Sequence, residues 1–292
     1  MTDAQATAAP AAERAAPECL FDVEGVSYLY QNRLPALVNV SLRIEPGQKV
    51  AILGANGCGK STLLKLLDGL YFPTSGAIRF RGMRLDEQSL ADEAANIAFR
   101  RSVGLVFQDP DVQLFSPTVW EEVAFGPLQL GLSRDEVAER VHGALELLGI
   151  VKLAERVPYS LSGGEKKKVS LASVLVIEPE VLLLDEPTAA LDPRSQRALV
   201  DLIAEVSEQG RTVVTATHDL DVVTEIADRV FVFGEDKTLV KAGPPEEILA
   251  DFELLLATNL AHAHRHHHAA LEAGEHAHPH LHHDLHGHPN GP

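Results

Sequence analysis

Cysteine is almost missing from this chain: only Cys19 and Cys58 occur in 292 residues. Cys58 lies inside a glycine-rich loop that a disulfide would distort. A disulfide framework is therefore excluded, and a reducing, intracellular setting is expected. Basic charge is also short. Against 42 Asp and Glu stand 25 Lys and Arg, a formal charge of -17, which argues against a broad nucleic-acid surface. No run approaches the roughly 18 apolar residues of a membrane span. The opening residues, MTDAQATAAPAAERAAPE, lack the basic start and continuous apolar stretch of a secretory signal. Residues 1–19 thus read as a disordered leader.

What is present is alternation. From residue 20 to about 260, strand-like apolar runs alternate with helical patterns, which predicts an α/β fold with a mainly parallel sheet. Buried-strand candidates are 50–53, 103–107, 181–184, 212–217 and 230–233. Helical spacing covers 60–70 and, most clearly, 133–148. Residues 109–177 are helical in pattern throughout and read as an insert within the sheet domain. Beyond residue 260 the composition turns abruptly to His, Ala, Gly and Pro.

Residues 54–61 (GANGCGKS) fit the phosphate-loop pattern between an apolar strand and a helix. Gly54, Gly57 and Gly59 let backbone amides turn inward around phosphate oxygens, where a Cβ would crowd them. Ala55, Asn56 and Cys58 complete the cradle. Lys60 brings charge to the outer phosphates, Ser61 offers a hydroxyl to Mg²⁺, and Thr62 follows on the helix. A second motif, VLLLDE at 181–186, is a buried strand ending in two carboxylates. Strand ends of open parallel sheets are where ligands bind. Asp185 would hold the Mg²⁺ shell and Glu186 would act as general base. Gln108 and His218 close two further strand candidates. They reach the γ-phosphate only if those strand ends line the same crevice.

Leu161-Ser162-Gly163-Gly164-Glu165 carries two readings at once. Ser162 and Glu165 have capping-box spacing. Yet two glycines just inside a helix each cost up to about 1 kcal/mol of propensity. Bare amides facing a phosphate are the favoured explanation, with Glu165 turned away. One nucleotide does not need two phosphate-binding elements in one chain, so two copies sharing their nucleotides are expected.

Taken in order, GANGCGKST, Gln108, LSGGE, VLLLDEPTAALD and His218 resemble the motif set of ATP-binding cassette (ABC) ATPases over residues 20–260. The resemblance implies a P-loop NTPase with a RecA-like parallel core, an N-terminal antiparallel β subdomain and a helical subdomain at about 109–177. It implies Tyr30 as the aromatic that stacks on adenine, Gln108 at the Mg²⁺, and Asp192 in a loop communicating across the dimer. It also implies a head-to-tail dimer. Glu165 departs from the commoner Gln, and Ser170 and Ser173 are a second departure. The segment 106–132 resembles the ATPases of energy-coupling factor importers, particularly the cobalt and nickel group. That resemblance implies a short helix at about 111–121 contacting a membrane-embedded partner, with Leu114, Phe115, Val119 and Trp120 as apolar anchors. The expected placement is then the cytoplasmic face of the cell membrane.

Of 14 histidines, all but His142 and His218 lie past residue 261. His262, His264, His266, His267 and His268 form one group; His276, His278, His280, His282 and His283 form another. Imidazoles so spaced suit Ni²⁺, Co²⁺, Zn²⁺ or Cu²⁺, so 261–292 reads as a disordered metal-binding tail. The function expected is ATP hydrolysis coupled to uptake of nickel or cobalt. A vitamin importer with the same ATPase, and a soluble non-transport cassette with a metal-buffering tail, are the rival readings.

Overall fold

The computed structural model describes residues 19–189, 191–265 and 277–280. The chain first runs through β1 (Phe21–Tyr30), β2 (Leu34–Ile44), β3 (Lys49–Leu53), α1 (Lys60–Leu67), β4 (Ser75–Phe80) and β5 (Met83–Arg84). Helices α2 (Glu87–Leu90) and α3 (Glu93–Ser102) lead to β6 (Val103–Val106). Three longer helices follow: α4 (Val119–Gln129), α5 (Arg134–Leu147) and α6 (Gly163–Leu175). Then come β7 (Val181–Asp185), α7 (Pro193–Glu208), β8 (Thr212–Thr217), α8 (Val223–Ile226), β9 (Arg229–Phe233), β10 (Leu239–Gly243), α9 (Pro245–Ala250) and α10 (Phe252–Ala257).

Two sheets arise from two hydrophobic patterns. In β2, Val40, Leu42 and Ile44 are buried while Ser41 and Arg43 face out, the period-two signature of a half-buried strand. That strand joins an antiparallel sheet ordered β2-β1-β4-β5. By contrast β6, β7 and β8 are buried at every position, as parallel strands covered on both faces must be. The central sheet is ordered β10-β9-β3-β8-β7-β6. Strands β9, β3, β8, β7 and β6 run parallel, so their C-terminal ends share one edge. A third apolar cluster, from Val119 to Val176, holds α4, α5 and α6 together.

The helix expected over 133–148 is α5, with Ser133 and Leu148 as its caps. The helix expected over 60–70 ends earlier, at Leu67, and Gly69 turns the chain at φ 65°. The helix expected at 111–121 is not there as such. A single 3₁₀ turn spans Pro110–Val112, and α4 starts only at Val119. Pro117 disfavours helix at Ser116, and Thr118 caps the new helix by accepting from the Glu121 amide. Of the four anchors, Val119 is fully buried core and Leu114 packs on the same cluster. Phe115 is 68% exposed and Trp120 37%; Phe125 stands edge-on to Phe115 at 5.0 Å and is also exposed.

Past the core, the stretch expected to lack structure contains two short paired strands, β11 (His262–Arg265) and β12 (Ala277–His280), with His264 opposite His278 and His262 opposite His280. The alternating His-x-His sequence has the period of a strand. Residues 1–18, and His266, His267, His268, His276, His282 and His283, lie outside the described residues. Among the described residues, no helix is long and apolar enough to cross a membrane, and no three His, Cys, Asp or Glu side chains converge on a metal position.

Candidate nucleotide site

The order of the sheet assembles the site. Strand β3 ends in the phosphate loop, its neighbour β8 ends at His218, and the next strand, β7, ends at Asp185 and Glu186. Strand β6, beside β7, leads into Gln108. Four motifs scattered over 165 residues of sequence thus meet at one edge because the crossovers are parallel.

The loop turns on two glycines. Gly57 has φ 79° and Gly59 φ 111°, in the left-handed region that disfavours side chains. At Gly59 a Cβ would also lie 2.3 Å from the Ala36 carbonyl oxygen. Part of the glycine requirement therefore comes from the chain's own β2 backbone, besides any phosphate. Lys60 is buried, and its Nζ donates to the carbonyls of Gly54 (2.7 Å) and Ala55 (3.3 Å). The same ammonium lies 3.2 Å from Glu186 Oε1, close enough for ion pairing though not aligned as a hydrogen bond.

Ser61 Oγ donates to Asp185 Oδ1 at 2.9 Å. A hydroxyl and a carboxylate meeting at a helix start are hard oxygen donors of the kind Mg²⁺ takes, so these residues fit that ion. Burial raises the Asp185 carboxyl above its usual range, while the Ser61 hydrogen bond pulls it back. Glu186 is held at φ 44°, strained for a side-chain-bearing residue, with its amide donating to the Ala216 carbonyl. Its Oε2 lies 3.0 Å from His218 Nδ1. Glu186 is thus gripped from both sides, by Lys60 and by His218.

Tyr30 sits above α1, its hydroxyl 3.1 Å from Thr62 Oγ1. Its ring stands edge-on to Tyr28 and Tyr71, which stack on each other with planes 7° apart. An aromatic platform beside the phosphate loop is suited to a base. Gln108 is exposed at the end of β6.

The second motif stands apart. No hydrogen bond or ion pair among the described residues links Ser162–Glu165 to the phosphate loop. Ser162 caps α6 in a capping box: its Oγ accepts from the Glu165 amide, and Glu165 Oε2 accepts from the Ser162 amide at 3.0 Å. Those bonds from the Ser162 amide and hydroxyl hold the Glu165 carboxyl below its usual range. A Cβ on Gly163 would meet nothing within 4 Å. Among the described residues nothing accepts from the Gly163 and Gly164 amides, which lie in the first turn of α6 where a helix leaves its N–H groups without internal partners. Asp192 caps α7, accepting from the Arg194 and Ser195 amides and the Ser195 hydroxyl.

Sequence reasoning missed Lys167. It is buried on α6, and its Nζ donates to the carbonyls of Phe107 (3.0 Å) and Gln108 (3.1 Å). Burial lowers its pKa to about 8, against the pull of Asp185, Glu186 and Asp109. The available signal was its spacing: Lys167, Ser170, Leu171 and Val174 fall at i, i+3, i+4 and i+7, the inward face of α6.

Residues 37–189 match the family model described as ABC transporter. Among curated relatives, the nickel import ATP-binding protein NikO of Rhodobacter capsulatus is 51% identical over 243 residues, 82% of this chain and 95% of the relative. The energy-coupling factor transporter ATP-binding protein EcfA of Methanothermobacter thermautotrophicus is 43% identical over 241 residues, 82% of this chain and 76% of the relative. Among solved structures, cbiO1 of Clostridium perfringens, described as part of the ABC transporter complex cbiONQ, is 40% identical with a TM-score of 0.70 over 83% of this chain and 95% of that one. The ATP-binding cassette MJ0796, solved as a dimer bound to ADP and Pi, is 28% identical with a TM-score of 0.69 over 77% of this chain and 98% of its own.

Proposed function

This chain belongs to the ABC transporter ATPase family, and from that premise we propose that it is the ATP-hydrolysing subunit of an energy-coupling factor importer for a transition-metal ion, nickel or cobalt. The observation that carries the enzymatic part is the convergence of Lys60, Ser61, Asp185, Glu186 and His218 at one sheet edge. The ion is supported by the 51% identity to a nickel import ATPase and by the histidines past residue 261.

In the reaction proposed, the amides of residues 55–61 and the ammonium of Lys60 hold the phosphates, and Tyr30 supports the adenine. Lys60 exchanges its contact with Glu186 for outer phosphate oxygens as ATP enters. Glu186, freed on that side, accepts the proton of the attacking water, with His218 orienting its other oxygen. Water displaces ADP at the γ-phosphorus. Mg²⁺, held by Ser61 and Asp185 with Gln108 nearby, would offset phosphate charge when bound. The open amides of Gly163 and Gly164, with Ser162, would complete the site of a second copy, a reading supported by the lack, among the described residues, of any hydrogen bond or ion pair from this helix start to the phosphate loop of its own chain. Asp192 lies in the loop between the two sites. Exposed Phe115, Trp120 and Phe125 form the apolar face proposed to meet a membrane-embedded partner, and in this reading the subunit is peripheral to the membrane.

The deciding experiment is uptake by the intact complex in vesicles, comparing ⁶³Ni²⁺, ⁵⁷Co²⁺ and labelled vitamins with and without ATP. ATP-dependent uptake of either ion is the expected result. Uptake of a vitamin alone would overturn the metal assignment, and no ATP-dependent uptake of any would overturn the importer reading.

A further inference from the structure

The segment leaving β6 has no sheet partner on its outer side, since β6 is the edge strand of the central sheet. Its hydrogen bonds go instead to α6. Lys167 Nζ donates to the carbonyls of Phe107 and Gln108 at 3.0 and 3.1 Å, from a side chain that is 4% exposed. Gln113 closes a second bridge. Its Oε1 accepts from the Phe107 amide at 3.1 Å, and its Nε2 donates to the Ser170 carbonyl at 2.9 Å and to Ser173 Oγ at 3.0 Å. Phe107 is thus held at both its N–H and its C=O, by groups anchored on one helix.

A buried ammonium is costly unless something compensates its desolvation. Two carbonyls satisfy two of its three donors, and both carbonyls belong to the peptide stretch that aims Gln108. Five residues before Lys167, the same helix begins at Ser162 with its open glycine amides. The sequence also singles out Ser170 and Ser173, which have no part in nucleotide binding. Here both are acceptors for Gln113.

We propose that Lys167, with Gln113, is a positioning residue that locks Gln108 to α6, so that the glutamine beside one nucleotide and the glycine helix start facing the next move as one body. A nucleotide that shifts Gln108 then shifts Ser162–Gly164, without any contact between the two. This rests on the reading of Gln108 as a nucleotide-site residue. A purely structural role for Lys167 would make α6 less stable but would not act through Gln108.

The test is a double-mutant cycle on the full chain, reading ATP affinity, turnover and thermal midpoint for Lys167→Met, Gln108→Ala and the pair. The expected result is that Lys167→Met keeps the Kd for ATP within about threefold while kcat falls about tenfold or more, as for loss of hydrogen bonds to a charged group. Lys167→Arg should recover most of kcat, since a guanidinium retains two donors for the two carbonyls. The pair should turn over no more slowly than Gln108→Ala alone. Normal kcat in Lys167→Met, or losses that multiply in the pair, would overturn the proposal. A kcat loss that only tracks a lowered thermal midpoint would also overturn it. Should Lys167→Met not fold, Gln113→Ala runs the same cycle through the second bridge with the same criteria. Normal turnover in Gln108→Ala would instead remove the site reading on which the proposal stands.

Discussion

The two regions proposed to meet phosphate, the loop at 54–61 and the start of α6, treat their polar groups in opposite ways. At the phosphate loop, Lys60, Asp185 and Glu186 are each about 95% buried and paired within the chain. At the start of α6, Ser162 and Gly163 are exposed, and only the capping box uses their neighbourhood. Buried polar groups must find partners in their own chain until a ligand replaces them. Exposed helix-start amides can wait in water for a partner molecule. The first region therefore has a defined resting state, and the second is left with amides to offer, as the proposed shared site requires.

The largest effect should come from breaking the first region. Glu186→Gln should keep ATP binding and lower turnover by 100-fold or more, as for loss of a general base, with a longer-lived ATP-bound dimer. Near-normal hydrolysis measured by phosphate release would remove Glu186 as the base. The second region should behave differently. Gly163→Val adds a side chain at an exposed position where its Cβ meets nothing within 4 Å in one copy, so folding and ATP affinity should hold while turnover falls about tenfold or more. Mixed with Lys60→Ala copies, which are intact at α6, the Gly163→Val copies should regain part of their activity. A mixture no more active than its components would argue that each chain completes its own site.

Carboxylates sharpen the same contrast at a smaller scale. Asp68 closes the C-terminal end of α1, and burial raises it to about 7 even though Arg100 lies 3.1 Å away and lowers it. Glu165, at the exposed helix start, is held below its usual range. A carboxyl whose folded pKa is raised stabilises the fold below its unfolded pKa, near 4, and loses that contribution as pH rises through about 7. Asp68→Asn removes this titration. Its stability relative to the parent chain should therefore improve between about pH 4 and pH 8, by roughly 1–3 kcal/mol in urea unfolding. A difference that is flat across this range would mean that Asp68 stays ionised in the fold.

Much of this was legible in the sequence, for identifiable reasons. The strand run over 212–217 coincides with β8 because full burial leaves an uninterrupted apolar and β-branched stretch. The extent of α5 was legible because its apolar residues recur at helical spacing, Val137, Val141, Ala144 and Leu145 all being buried. Lys60, Asp185 and Glu186 could be singled out because their motifs are local, yet their meeting depends on sheet order, which no motif encodes. The helix expected at 111–121 failed because family resemblance outweighed Pro117 and Thr118, a local stop and start. Lys167 was hidden by its neighbours: in Lys166-Lys167-Lys168 three identical residues share a run, and only their helical phase buries the middle one. Phe125 was missed for another reason, lying beyond the helix expected at 111–121 on which the anchors were placed.

The smallest effect on catalysis is expected where the core ends. Leu260 and Ala261 are 1% and 2% exposed, and the next residue begins the histidine stretch. Removing everything after Ala261 should leave the ATPase rate and thermal midpoint within error, because Leu260 and Ala261 and the core they pack on are all kept. Removing two residues more should cost about 2–4 kcal/mol, since the packed Leu260 side chain then leaves a cavity. Transition-metal binding divides the other way. The intact chain should bind several Ni²⁺ ions in calorimetry near pH 7.5, and much less at pH 5.5, where imidazoles are protonated. The chain ending at Ala261 should bind none of these tail ions at either pH. Equal Ni²⁺ binding by both chains would place the metal on the cassette instead and detach the histidines from the transport reading.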